Sequence, residues 1–335
     1  MSIPHSRAPA STARRRLLAG MALGAGGALP LQLLAAEPAF PGKPVKFVVP
    51  FAAASGTDLV ARLYAERFAD LAGVAVVVDN KAGANGQIGA QAAAASPPDG
   101  YTVLIATNTT HAANVSLLRK LGYDPVQDFT PITMLGTVSL VFVVPAATPA
   151  ATVAEFTALA RRSPGKMTFG AGSASSRVSV EMYKSMAGVD VLHVPYKSNP
   201  PAVTDMLGGQ ISMMIADASV VLPHVQSGKL RALAVTGTQR LKSLPAVPTM
   251  TEAGIPGYEL MGWFAAYAPA RTPPEVVARL NALFGQASQS DKVREAMDKL
   301  GGDVRVSSAR ELGTFAASET LKWQRTVRAA GIEPE

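Results

Sequence analysis

The pattern that most limits what this chain can fold into is a repeated alternation. A short β-branched or aromatic run stops at glycine, serine, threonine or asparagine, and a helical period then begins. Val45 to Phe51 is the first such run and ends at the small-residue turn Ala52 to Gly56. Ser55 or Thr57 can cap the helix that follows, because Leu59, Val60, Leu63 and Phe68 recur near the 3.6 period while Arg62, Glu66 and Asp70 take the other side. Val74 to Val78 reads as a strand, Asn80 to Gly86 as a loop, Gln87 to Ala95 as a small-residue helix and Tyr101 to Ala106 as a third strand. Strand, helix, strand, helix, strand spells a parallel sheet whose strand-end loops gather at one edge.

The same grammar restarts beyond the apolar stretch Ile132 to Val144. The spacing gives a helix at Val153 to Arg162, a strand at Met167 to Gly170, a Gly/Ser loop at Ala171 to Ser176 and a helix at Val178 to Ala187. After the strand Asp190 to Val194 come helix Pro201 to Leu207, strand Ile211 to Ile215, helix Val220 to Ser227 and strand Leu230 to Val235. A second apolar stretch, Leu260 to Ala268, precedes helices near Pro274 to Gln289, Asp291 to Leu300 and Ala309 to Ala330. The expected fold class is α/β, with two α/β domains joined by two crossing segments and a cleft between them. Domain one is drawn as 37–140 with 260–335, and domain two as 141–259.

Of 335 residues, 31 are basic and 24 acidic, a formal +7. Four of the basic residues, Arg7, Arg14, Arg15 and Arg16, precede any acidic one, so the chain from Glu37 onward carries only +3. Arginines, then the apolar Ala19 to Leu34, then Ala35-Ala36 make a cleavable secretory signal peptide over 1–36, and the paired arginines also suit twin-arginine export. The expected location is the periplasm. Scattered Lys and Arg with 6% aromatic residues lack the footprint of a nucleic-acid platform.

There is no cysteine, which excludes disulfides, thiol nucleophiles and thiolate metal sites. The spacing of His111, His193 and His224 matches no metal-ligand pattern, so neither metal nor cofactor is expected. Beyond the leader no phosphate loop, dinucleotide fingerprint or nucleophile elbow occurs. The enzyme alternative is a serine hydrolase pairing Ser173, Ser175 or Ser176 with His193 or His224. Against it, serines that open a helix are caps far more often than nucleophiles. What remains is a set of helix-opening loops whose backbone N–H groups and hydroxyls suit an anion: Ala52 to Asp58, Gly83 to Gln87, Thr107 to Thr110 and Gly172 to Ser176.

Several ordered strings carry a resemblance. They include Val48-Val49-Pro50-Phe51 with Gly56-Thr57-Asp58, Asp79-Asn80-Lys81-Ala82-Gly83-Ala84-Asn85-Gly86, and Pro98-Asp99-Gly100-Tyr101-Thr102. Later come His193-Val194-Pro195-Tyr196-Lys197, Leu207-Gly208-Gly209-Gln210 and Gly228-Lys229-Leu230-Arg231-Ala232-Leu233-Ala234-Val235. Together they resemble the Bug or TctC family, the extracytoplasmic solute receptors of tripartite tricarboxylate transporters. The resemblance implies a type II periplasmic-binding-protein fold that closes on a small carboxylate without catalysis and passes it to membrane permease subunits. A sensor module serving a signalling partner would bind the same ligand. The chain is expected to act as a monomer. Carried over by position, the binding residues would be Ala53, Ser55, Thr57 and Asp58 in the first loop, Asn85, Thr107 and Asn108 beside it, and Ser173, Ser175 and Ser176 opposite. Tyr196, Lys197 and Asp217 are further candidates. Many members have two glycines where this chain has Ala54-Ser55, which puts ligand choice in doubt.

Overall fold

Parallel pairing around one buried strand organises the first part of the molecule. The computed structural model describes residues 40–334, so the signal-peptide assignment lies outside the described residues. Strand β1 (Val45–Val49) pairs in parallel with β2 (Val76–Asn80) on one side and β3 (Thr102–Thr107) on the other. Helix α1 (Gly56–Ala72) makes the first crossover and α2 (Gln87–Ala94) the second. Phe47, Phe68 and Phe284 are fully buried, and the Phe47 and Phe284 rings stack at 5.4 Å. This aromatic cluster pins α1 and the C-terminal α8 (Pro274–Ser288) to one face of the sheet.

Beyond β3 the chain runs through a π-helical turn, Thr109–Ala113, into the short α3 (Asn114–Leu117) and then the 17-residue β4 (Phe129–Pro145). The sheet is mixed rather than purely parallel, because β9 (Met261–Pro269) inserts antiparallel between β3 and β4. The order is β10-β4-β9-β3-β1-β2, with β10 (Gly302–Val304) an edge strand too short to carry a sequence signal. Between the long strands lie α4 (Val153–Arg162), β5 (Thr168–Ala171), α5 (Ala174–Ala187), β6 (Leu192–Pro195), α6 (Asn199–Leu207), β7 (Met214–Asp217), α7 (Ala218–Gln226) and β8 (Leu230–Val235). The chain closes with α9 (Asp291–Lys299) and α10 (Ala309–Ala329).

β4 changes partners part-way along. Phe129 to Ser139 pair with β9, whereas Leu140 to Val143 pair with β7 and Val141 to Pro145 with β8. Two register shifts, between Pro131 and Thr133 and between Met134 and Gly136, bend it before the exchange. Three of the expected boundaries move for local reasons. Ser175 and Ser176 belong to the first turn of α5 rather than to a loop, because Ser173 caps it by accepting from Ser176 N–H at 3.3 Å. Helix α6 begins at Asn199, ahead of its prolines, which are favoured in a first turn where no intrahelical N–H bond is lost. β2 is shifted two residues, its register set by Val45 opposite Val76.

Candidate functional site

Four helices point their N-termini at one cleft. Their caps, Ser55 of α1, Ser173 of α5, Ser198 of α6 and Asp217 of α7, all stand on its wall. Each terminus carries roughly half a positive charge from its unsatisfied N–H groups. Among the described residues the only charged side chain on the wall is Asp217, so the field there is built by backbone dipoles rather than by Lys or Arg.

Close backbone approach makes this convergence possible. A Cβ at Gly172 would lie 2.0 Å from the Ser198 carbonyl carbon, so only glycine lets the α5 and α6 caps meet. A Cβ at Gly56 would lie 3.0 Å from Ser219 Oγ and 3.2 Å from Asp217 Oδ2, which brings the start of α1 against that of α7. Asn199 ties the second wall together. Its Oδ1 accepts Gly172 N–H at 2.9 Å, and its Nδ2 donates to Ser176 Oγ at 2.9 Å and to Asp217 Oδ2 at 3.2 Å.

The two walls also meet directly. Asn108 at the end of β3 donates through Nδ2 to Ser175 Oγ at 3.0 Å and accepts Trp263 N–H at 3.3 Å. Trp263 forms part of the wall, and its indole donates to the buried Glu319 of α10 at 3.1 Å while Phe315 packs edge-on against it. The space between the walls is narrow, with a cavity volume of about 20 Å³. Thr109 Oγ1 and Ser198 Oγ, both buried on this wall, have no hydrogen-bond partner among the described residues.

Ser55, Thr57, Thr107, Asn108, Ser173, Ser175 and Asp217 are thus brought together at the cleft. Ser176 stands behind it on Asn199. Asn85 and Tyr196 border a separate outer cavity of about 300 Å³, which Lys197 also lines and which shares Ser173 with the cleft. Tyr196 donates to Asp205 Oδ2 at 2.6 Å. Ala53 is not on the cleft wall, and neither is Asp58. The Asp58 carboxylate accepts from Ala54 N–H at 2.8 Å, Arg62 Nε at 3.0 Å and Asn80 Nδ2 at 2.9 Å. It locks the turn that aims α1, with Ala54 held at φ 63° where glycine would be unstrained.

Burial on its own would raise the Asp58 pKa, but the Arg62, Ala54 and Asn80 hydrogen bonds bring it below the ordinary carboxylate value. A carboxyl with a depressed folded pKa adds stability above its unfolded value near 3.9 and loses it as pH falls through the folded value. Asp58→Ala is expected to cost about 2–3 kcal/mol at pH 7 and distinctly less at pH 3, read from urea midpoints. An equal cost at both values would mean that the charge is not what holds the turn.

The polar wall residues that sequence reasoning missed are Ser198 and Asn199. A serine two residues ahead of Pro200-Pro201 is a cap signature, and it was legible. Of the serines in the hydrolase alternative, Ser173 and Ser176 bond to each other, Ser176 also bonds to Asn199, and Ser175 accepts from Asn108. His193 stacks on Phe169 at 4.9 Å, and His111, packed against Tyr267 at 4.1 Å, is held neutral by burial, its pKa lowered to about 3.

A mixed α/β fold with a cleft walled by helix N-termini is the architecture of a solute-binding protein. The family model described as tripartite tricarboxylate transporter family receptor, TctC, matches residues 60–332. Among solved structures, a Rhodopseudomonas palustris protein with adipate is 34% identical, covers 88% of this chain and 100% of its own, and superposes with a TM-score of 0.86. The periplasmic binding protein BugD is 32% identical over 88% of this chain and 100% of its own, with a TM-score of 0.85. MatC from R. palustris with bound malate is 30% identical over 86% and 100%, with a TM-score of 0.82. The chain belongs to the TctC family of tripartite tricarboxylate transporter receptors.

Proposed function

We propose that the chain captures a small carboxylate between two lobes and delivers it, from the periplasm, to the membrane permease of a tripartite transporter. The observation that carries this reading is the convergence of four helix N-termini on one cleft with no cationic side chain among the described residues lining it, which suits an anion held by backbone N–H groups and hydroxyls. That two similar structures hold adipate and malate supports it. The lobes are drawn as residues 37–140 with 260–335 and residues 141–259, hinged where β4 exchanges partners.

Ligand entry is expected to part the Asn108–Ser175 contact, which joins the two walls. Ligand that touches both walls only when they are together then favours the closed state. The expected result is 1:1 binding by a monomer, with a rise in melting temperature that grows with ligand concentration. Trp263 supplies a fluorescence readout. A broad set of mono-, di- and tricarboxylates that produces neither a melting shift nor a change in indole emission would remove the carboxylate assignment.

A further inference from the structure

Two indoles share one oxygen beneath the cleft wall. Glu319 of α10 is buried, and its Oε2 accepts the Trp263 indole N–H at 3.1 Å and that of Trp323, four residues further along the helix, at 3.2 Å. Its Oε1 lies 3.6 Å from Lys322 Nζ. Trp263 stands on the cleft wall and Glu319 does not. Trp263 is held at both ends: Asn108, which bridges to Ser175 of the opposite wall, takes its backbone N–H, and Glu319 takes its ring N–H. Phe315, four residues before Glu319, packs edge-on against the indole at 5.5 Å. An indole nitrogen can only donate, so without Glu319 the ring must find another acceptor or leave the bond unmade. On the cleft side, Thr109 Oγ1 and Ser198 Oγ have no hydrogen-bond partner among the described residues. An indole released toward them would fill the narrow space that a ligand needs.

Resting on the carboxylate reading above, we propose that Glu319 is a positioning residue for ligand binding: it holds the Trp263 indole back as a wall and so keeps the space between the helix N-termini open. It acts through Trp263 and touches no ligand itself. A determinant of affinity thus lies on the C-terminal helix, outside the cleft.

The test measures affinity by calorimetry with adipate and with malate, and access to the Trp263 ring by acrylamide quenching of the ligand-free protein. Trp263 and Trp323 are the two tryptophans of the whole chain, so quenching is read in a Trp323→Phe background, where Trp263 is the sole indole. Glu319→Met keeps the side chain's length and removes both oxygens. It is expected to weaken the better-bound acid by about tenfold or more, the effect of one buried donor left unsatisfied, and to raise the quenching constant about twofold or more. Glu319→Asp draws the carboxylate back by one methylene and is expected to act in the same direction, about fivefold on affinity; it serves if the methionine variant does not fold. Glu319→Gln keeps an acceptor at the same reach and is expected to restore both readouts to within about twofold. A purely structural role would lower the melting temperature without moving the quenching. Unchanged affinity in the methionine and aspartate variants, or a loss of affinity with no change in quenching, overturns the assignment and leaves the carboxylate reading standing. If the unsubstituted protein binds neither acid, the carboxylate reading falls and the assignment falls with it.

Discussion

Gly172→Ala is expected to destabilise the protein by about 3 kcal/mol or more and to remove ligand binding, the largest single effect anticipated here. The methyl carbon would sit 2.0 Å from the Ser198 carbonyl carbon and 2.3 Å from its oxygen. These are backbone atoms, so no side-chain rotation relieves the overlap. The start of α6 must move away from that of α5, which breaks the 2.9 Å bond from Gly172 N–H to Asn199 Oδ1 and separates two of the four dipoles facing the cleft. Urea unfolding with binding measured in parallel checks this. A midpoint shift equivalent to less than about 0.5 kcal/mol, the scatter of surface substitutions, would mean that the two segments are free to part.

Asn199→Ala comes next, with an expected cost of about 3 kcal/mol. It removes one buried amide that serves Gly172 N–H, Ser176 Oγ and Asp217 Oδ2 together. Leaving a buried polar group unsatisfied costs about 1–3 kcal/mol, and here the Asp217 carboxylate also loses a donor that favours its charged form. Asn199→Asp is more informative still, because it sets a second carboxyl beside the first. Two adjacent carboxyls resist ionising together, so that variant should be markedly less stable at pH 8 than at pH 5. A flat pH dependence would place residue 199 out of reach of Asp217.

Helix starts and strand ends were legible because small polar residues punctuate apolar runs, and Ser55 and Ser173 do cap the helices that their positions suggested. Which neighbouring side chains turn toward the cleft was not legible, because that depends on partners remote in sequence. Asp58 reads as an anion-site residue until Asn80, brought alongside by the β1–β2 pairing, consumes its carboxylate. Asn85 adopts φ 51° and its carbonyl accepts from Asn114, just past a π-helical turn that no periodicity announces. Trp263 could be assigned to either the cleft or the hinge from sequence alone. It stands at the cleft because Asn108 binds its backbone and Glu319 its indole.

The long strand β4 limits how this molecule can be cut and recombined. Its first eleven residues complete one sheet and its last six seed the other, so neither half is a free-standing module with intact edges. A fragment ending at residue 140 would keep the first part of β4 without its partner β9, and one beginning at 146 would leave β7 and β8 without their template. Chimaeras between this receptor and a relative should therefore exchange β4 whole, together with β9. Junctions at the exposed Ala147 or Pro149, in the turn after β4, are places where foreign sequence can be joined without severing a shared ladder.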